Sequence, residues 1–212
     1  MLRISEIFYS LQGESSTAGM PTVFVRLTGC PLRCQYCDTE YAFSGGEIMS
    51  LEDIEDTVAN YQCGYVTVTG GEPLAQSECL PLLRKLCDKG YAVSLETSGA
   101  LPIENVDERV SIVLDLKTPG STESQKNREE NIGHLKSADQ VKFVICDRQD
   151  YEWAKAKVQQ LELCSRVDEI LFSPSFGQLM PDQLAQWILE DKLKVRMQLQ
   201  MHKLIWGNEP GR

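Results

Sequence analysis

No stretch of the 212 residues approaches the run of about eighteen apolar side chains that a membrane-spanning helix needs. The opening Met1-Leu2-Arg3-Ile4-Ser5-Glu6 also lacks the apolar stretch of a secretion signal. The sequence therefore predicts a cytoplasmic protein with no membrane partner. Positive charge is scarce too: 21 Lys and Arg stand against 31 Asp and Glu, a formal net charge of −10. That balance leaves no basic field to collect phosphates, so it disfavours nucleic acid and favours a small-molecule substrate. Repeats, low-complexity tracts and breaks in composition are all missing. Residues 1–212 accordingly read as one domain, 42% hydrophobic and long enough to bury a single sizeable core. The polar stretch 117–128 and the Gly- and Pro-bearing end 207–212 read as loops rather than linkers.

What is present is a series of short β-rich runs with helix-like segments between them, the pattern of a parallel sheet built by crossover connections. The strands fall at 22–28, 65–69, 91–96, 111–116, 139–145, 169–173 and 195–200, with 3–8 as an added edge strand. Ser50, followed three positions on by Asp53, forms a capping arrangement for a helix through Asn60. Leu80, Leu83, Leu86 and Cys87 keep helical spacing up to Gly90, which ends that helix. Ala154, Val158 and Leu161 put an apolar face on a helix after Asp150, and Pro181 suits the first turn of another through Glu190. The connections after 91–96 and 111–116 carry Pro102, Pro119 and Gly120, so helices there are expected to be incomplete. The fold class is thus α/β: an incomplete, TIM-like barrel of parallel strands with few, partly irregular crossover helices.

In such folds the site lies at the C-terminal ends of the strands. Five polar or glycine-rich motifs fall on that one edge: Cys30, Gly70-Gly71-Glu72-Pro73, Thr97-Ser98-Gly99, Lys117 and Ser173-Pro174. Eight cysteines in a reducing compartment are not expected to form a disulfide framework. Cys30, Cys34 and Cys37 place three thiols within eight residues of one loop, 29–39. Three sulfurs on a four-iron cubane leave one iron open to an outside ligand, where an electron carrier supplies a fourth cysteine. A structural zinc site is the other reading, but it wants four closed ligands, and no second close pair of cysteines exists. Chance spacing is the third. Cys63, Cys79, Cys87, Cys146 and Cys164 fall on helix or strand patterns and read as small buried apolar residues. Gly70-Gly71 reads either as a strand-ending turn or as bare backbone against which a ligand lies. Glu72 is open between a carboxylate that stabilises the loop and a ligand contact.

Together, the Cys-x3-Cys-x2-Cys loop and Gly-Gly-Glu-Pro resemble the radical S-adenosylmethionine superfamily. Within it the chain is similar, nearly end to end, to the 7-carboxy-7-deazaguanine synthases. That likeness is carried by residues 6–14 (EIFYSLQGE), 24–31 (FVRLTGCP), 37–39 (CDT), 96–99 (ETSG) and 200–203 (QMHK). The resemblance implies a 4Fe–4S cluster on Cys30, Cys34 and Cys37, S-adenosyl-L-methionine as cofactor, and Mg2+ at Thr39. It further implies a radical ring contraction of 6-carboxy-5,6,7,8-tetrahydropterin to 7-carboxy-7-deazaguanine with loss of ammonia, a lyase reaction feeding queuosine or another deazapurine. Matched residue by residue, Leu11, Gln12, Gly13, Arg26 and Thr69 fall at substrate contacts. Arg26 can hold a carboxylate through its planar fork or form a structural ion pair, and Glu14 can accept hydrogen bonds from an aminopyrimidine edge. Tyr36, Cys37, Asp38, Gly71, Ser98, Asp115, Leu116, Lys117, Ser173, Pro174, Ser175 and Phe176 fall at cofactor contacts. A homodimer and a reductant protein such as flavodoxin or ferredoxin are implied as partners.

Three departures from the family pattern stand out: Ser15 for a common glycine, Asp115-Leu116-Lys117 for Ser-Pro-Lys, and the ending Asn208-Glu209-Pro210-Gly211-Arg212. His202 and Lys203 follow the last strand, where a place near the substrate and a packed or solvated role are equally open. The competing readings are another enzyme of the superfamily, such as a glycyl-radical activating enzyme, and a non-catalytic zinc or iron–sulfur module. The combination of Gln12, Glu14 and Arg26 separates the first of these, and metal content separates the second.

Overall fold

The computed structural model of the chain describes residues 1–207, 209 and 211; Asn208, Pro210 and Arg212 of the tail lie outside the described residues. The chain opens with β1 (Leu2–Leu11), β2 (Pro21–Leu27) and β3 (Glu47–Met49), followed by α1 (Leu51–Asn60), β4 (Tyr65–Gly70), α2 (Cys79–Asp88), β5 (Ala92–Thr97) and β6 (Ser111–Asp115). The second half holds β7 (Gln140–Ile145), α3 (Arg148–Gln160), α4 (Leu163–Arg166), β8 (Glu169–Pro174), α5 (Pro181–Glu190), β9 (Arg196–Met197) and α6 (Met201–Trp206). These strands form one open sheet in the order β3-β1-β2-β4-β5-β6-β7-β8-β9. From β2 to β9 every neighbouring pair is parallel, and β1 runs antiparallel to β2 and β3.

The expected helices form for the expected reasons. Ser50 accepts from the Asp53 amide, and the Asp53 carboxylate accepts from the Ser50 amide, so two orphan donors of α1 are satisfied reciprocally. Gly90 ends α2 at φ 87°, a conformation that costs a side-chain-bearing residue but not glycine. Two apolar clusters make up the core. One packs α1 and α2 on β1, β2, β4 and β5; the other packs α3 and α5 on β6, β7 and β8. Leu74 and Val106 touch both.

Two expectations are corrected. The strand read as an edge at 3–8 is longer and lies one place inside the sheet, because β3 covers its outer side through Leu2↔Met49, Arg3↔Ile48 and Ile4↔Glu47. The strand read at 195–200 shortens to two residues, and the chain turns instead into α6. The connections after β5 and β6 hold no α-helix, as their prolines predict. Residues 118–135 form three 3-10 turns, and Asn131 ties them down by donating to the carbonyls of Gly99 (3.0 Å) and Leu101 (2.9 Å).

Candidate active site

The C-terminal ends of β2, β4, β5, β6, β7 and β8 open into one cleft of about 610 Å3. Cys30, Cys34 and Cys37 all line it, each half-buried. Their loop follows β2 and is fastened on three sides. Gly29 donates to the Ala42 carbonyl (2.8 Å) and accepts from the Glu72 amide (2.8 Å). The Arg33 amide donates to Glu123 (2.7 Å), and the Gln35 amide to the Ser121 carbonyl (3.1 Å). The Gln35 and Gln178 side-chain amides exchange hydrogen bonds of 3.1 and 3.0 Å. Burial pushes the Cys30 thiol up and the Cys34 thiol up to about 11. Bare thiolates are disfavoured there, whereas iron bound to the sulfurs supplies the compensating charge. Among the described residues no three His, Cys, Asp or Glu gather as ligands of a single ion. Three thiols on one wrapped loop, all facing one cleft, suit a cubane, which offers each sulfur its own iron.

Glycine is required at the end of β4 for close packing. A Cβ on Gly71 meets the Gly29 carbonyl oxygen and lies 2.8 Å from the Cys30 Cβ, so the bare backbone lets the sheet and the cysteine loop touch. Glu72 resolves as a loop-stabilising carboxylate. It is fully buried and accepts from Thr97 Oγ1 (2.8 and 3.0 Å), the Ser98 amide (2.8 Å), Ser98 Oγ (2.5 Å) and the Leu74 amide (3.1 Å). One side chain thus locks two of the strand-end motifs together, and no oxygen of it is left to face a ligand.

Leu11, Gln12, Gly13, Glu14, Arg26 and Thr69 all line the cleft. Gln12 is buried; its amide donates to Thr67 (3.2 Å) and Glu96 (3.3 Å) and its carbonyl accepts from the Glu14 amide (3.1 Å), which sets the shape of the loop after β1. Glu14 pairs with Lys142 and accepts from Gln200 (2.8 Å). Arg26 forms the structural ion pair of its two expected readings: Nε donates to Glu6 (2.7 Å), and the guanidinium lies 5.7 and 5.9 Å from the Phe8 and Tyr41 rings. Among the described residues its two terminal nitrogens make no hydrogen bond. Thr69 Oγ1 donates to Glu96 (3.0 Å). Ser15, the departure from the common glycine, sits at φ 68°, held by Gln198 through both backbone groups (2.9 and 3.0 Å).

Across the cleft stand Tyr36, Asp38, Thr39, Gly71, Ser98, Asp115, Lys117, Ser175 and Phe176. Lys117 pairs with Asp115 at 2.9 Å and lies 5.8 Å from the Tyr36 ring. Burial works to lower the Lys117 ammonium, but Asp115 and its other neighbours more than offset this and hold it well above its ordinary value. The Tyr36 hydroxyl and Asp115 Oδ1 are buried without a hydrogen-bond partner among the described residues. Such polar atoms point to a polar ligand on this wall. Asp38 is pulled below its ordinary value: burial works upward, and Lys203, Lys142, His202 and Arg26 outweigh it.

Leu116, Ser173 and Pro174 do not line the cleft. Leu116 turns into the α3/α5 core, and Ser173 and Pro174, at the end of β8, are buried. Nor are all the remaining thiols core residues. Cys79 and Cys87 are buried, but Cys63 and Cys146 are half-exposed and Cys164 is exposed, since all three fall at or beyond the ends of elements. Glu96, Lys142 and Gln200, to which the sequence assigned no role, also line the cleft, as do His202 and Lys203, whose place was left open. His202 explains Gly13, where a Cβ meets its ring, with Cγ at 2.9 Å. Burial holds the His202 imidazole below its ordinary value, with the charges of Glu14 and Asp38 opposing.

The radical SAM superfamily model matches residues 24–143. The 7-carboxy-7-deazaguanine synthase of Koribacter versatilis is 45% identical over 98% of this chain and 98% of its own length. That of Chlorobaculum tepidum is 47% identical over 97% and 94%. Among solved structures, QueE from Escherichia coli superposes with a TM-score of 0.77 at 22% identity, covering 95% of this chain and 94% of its own. Streptococcus suis SuiB bound to its precursor peptide SuiA shares the fold over 81% of this chain and 46% of its own, with a TM-score of 0.60 at 15% identity. A three-cysteine loop packed on glycine-ended strands, and relatives matched over nearly their whole length, place the chain in the radical S-adenosylmethionine superfamily and, within it, in the 7-carboxy-7-deazaguanine synthase family.

Proposed function

We propose that this chain contracts the ring of 6-carboxy-5,6,7,8-tetrahydropterin to give 7-carboxy-7-deazaguanine and ammonia. The observation that carries this reading is that one cleft joins the cysteine loop to Arg26, Gln12 and Glu14. The terminal nitrogens of Arg26 suit a carboxylate, and the acceptor wall at Glu14 suits an aminopyrimidine. When bound, the 4Fe–4S cluster and S-adenosylmethionine supply a 5′-deoxyadenosyl radical. The chain's own residues do the rest. Cys30, Cys34 and Cys37 would hold the cluster, while Tyr36, Asp38, Gly71, Ser98, Asp115, Lys117, Ser175 and Phe176 would hold the cofactor. Leu11, Gln12, Gly13, Glu14, Arg26 and Thr69 hold the pterin with its reacting carbon toward that cofactor.

Thr39 stands two residues after Cys37 with its hydroxyl 3.8 Å from that sulfur, on the cleft wall, and in this reading it offers an oxygen to Mg2+ beside the substrate carboxylate. A protein reductant such as flavodoxin or ferredoxin supplies the electron, the chain works as a homodimer, and its eight free thiols suit the cytoplasm.

Anaerobic assay of the reconstituted protein with the carboxylated tetrahydropterin tests the reading; release of deoxyadenosine with no deazaguanine would overturn it. In the same assay Thr39→Ala is expected to lose most of the stimulation by Mg2+ while keeping the visible spectrum of the cluster. Unchanged Mg2+ dependence would remove the ion from Thr39.

A further inference from the structure

Acidic and basic side chains in and around the cleft are paired off. Arg26 takes Glu6 (2.7 Å), Lys117 takes Asp115 (2.9 Å), Lys203 takes Asp38 (3.4 Å) and Lys142 takes Glu14. Glu96, on the floor at the end of β5, is different: among the described residues it forms no ion pair. Its two hydrogen-bond donors are both neutral, the Gln12 amide on Oε1 (3.3 Å) and the Thr69 hydroxyl on Oε2 (3.0 Å). Neither donor fills its oxygen, so the carboxyl has room to carry a proton of its own.

The groups that face Glu96 favour that proton. Burial raises its pKa above the ordinary carboxyl value, and the charge of Glu14 adds to the effect; Lys142, Thr69 and Arg26 oppose it and lose. Lys142 works on the two carboxyls unequally, since it touches Glu14 and acts on Glu96 only at a distance.

We propose that Glu96, the cleft carboxyl with no ion pair, is the general acid of this cleft: its proton goes to the nitrogen that leaves as ammonia. The step rests on the ring-contraction reading above. The carbon–nitrogen bond breaks with its electron pair on nitrogen, and Glu96 protonates that nitrogen. The adjacent carbon–hydrogen bond supplies the electrons of the new double bond, and its proton returns to the Glu96 carboxylate. Nothing is oxidised or reduced, ammonia is the sole loss, and the acid is regenerated.

The test is Glu96→Gln, which keeps the shape of the carboxyl and one acceptor oxygen for its two donors but has no acidic proton. With substrate deuterated at the position that gives up hydrogen, two rates are read: deuterium appearing in S-adenosylmethionine, and ammonia released. The ratio of the first to the second is expected to rise about a hundredfold, the lower range of a general acid's contribution. Because the neutral form is the active one, wild-type ammonia release should fall as pH rises through the Glu96 pKa, and Glu96→Asp should keep that limb at a shifted position. Three results overturn the proposal: ammonia release by Glu96→Gln within threefold of wild type, both rates falling together, or the same limb unmoved in Glu96→Asp. The last decides if the Gln variant does not fold. A wild-type protein that makes no deazaguanine removes the reaction itself, and with it this step; normal wild-type turnover with an unaffected variant removes Glu96 alone.

Discussion

At the residue scale, the tightest constraint in the site is a missing side chain. Gly71 brings the end of β4 against Gly29 and Cys30, and the atoms a Cβ would strike are the Gly29 carbonyl and the Cys30 Cβ, which is fixed directly to the backbone, so neither has much room to give. Gly71→Ala therefore has to push the cysteine loop off the sheet. A cost of about 1–3 kcal/mol is expected for such overpacking, paid mainly in the loop's geometry, so iron retained after reconstitution should fall well below one cluster per chain while far-UV circular dichroism stays as in wild type. Gly64→Ala is the control, since nothing lies within 4 Å of its Cβ. Full iron content in Gly71→Ala would show that the loop accommodates the methyl group. Gly13 follows the same rule on the opposite wall, where His202 occupies the space, and this residue pair couples the loop after β1 to α6.

At the element scale, the site depends on helices that hold the strands in place from behind. The cap of α1 is wholly local: Ser50 and Asp53 each satisfy a backbone amide of the other. Ser50→Ala should cost about 1 kcal/mol, read as a lower urea midpoint with an unchanged slope; an unchanged midpoint would mean that β3, which ends one residue earlier, holds the turn by itself. Elements of this kind were legible in the sequence because capping, periodicity and punctuating glycine act over a few residues. So was the cysteine loop, whose chemistry is written in its spacing. The parts that were not legible depend on distant partners. β3 is three residues long and exists because Leu2 and Ile4 of β1 accept it as a neighbour. The expected 195–200 strand shortens because β8 offers β9 only Leu171 and Phe172, and α6 then carries His202 and Lys203 into the cleft. Lys142 and Glu96 had a signal that periodicity alone does not rank: a charged residue beside the buried Val141, Phe143 and Leu95, on strands of a largely parallel sheet. Such a charge needs a partner inside the fold, and that partner, Glu14, lies 128 residues away from Lys142.

At the scale of the whole molecule, the sheet is continuous but the core beneath it is not. The α1/α2 cluster supports the strands that carry Arg26, Thr69 and the cysteine loop; the α3/α5 cluster supports those that carry Asp115 and Lys142. The cleft straddles the join, and the ion pair of Glu14 with Lys142 spans it from above. From below, the join is made by Leu74 and Val106, the hydrophobic residues that touch both clusters. Leu74→Ala should therefore loosen the coupling between the halves more than it weakens either one, at a cost of about 2 kcal/mol for a partly buried leucine. Two of the three tryptophans, Trp153 and Trp187, pack on the α3/α5 cluster, so their fluorescence reports mainly that half, whereas far-UV circular dichroism reports both. In wild type the two signals should lose native structure at one denaturant midpoint, as a cooperative unit does. In Leu74→Ala the midpoints should separate, with the circular dichroism curve broader than the fluorescence curve. Coincident curves at a lower common midpoint would mean that the hydrogen-bonded sheet alone keeps the halves cooperative, and that Leu74 contributes only its buried area.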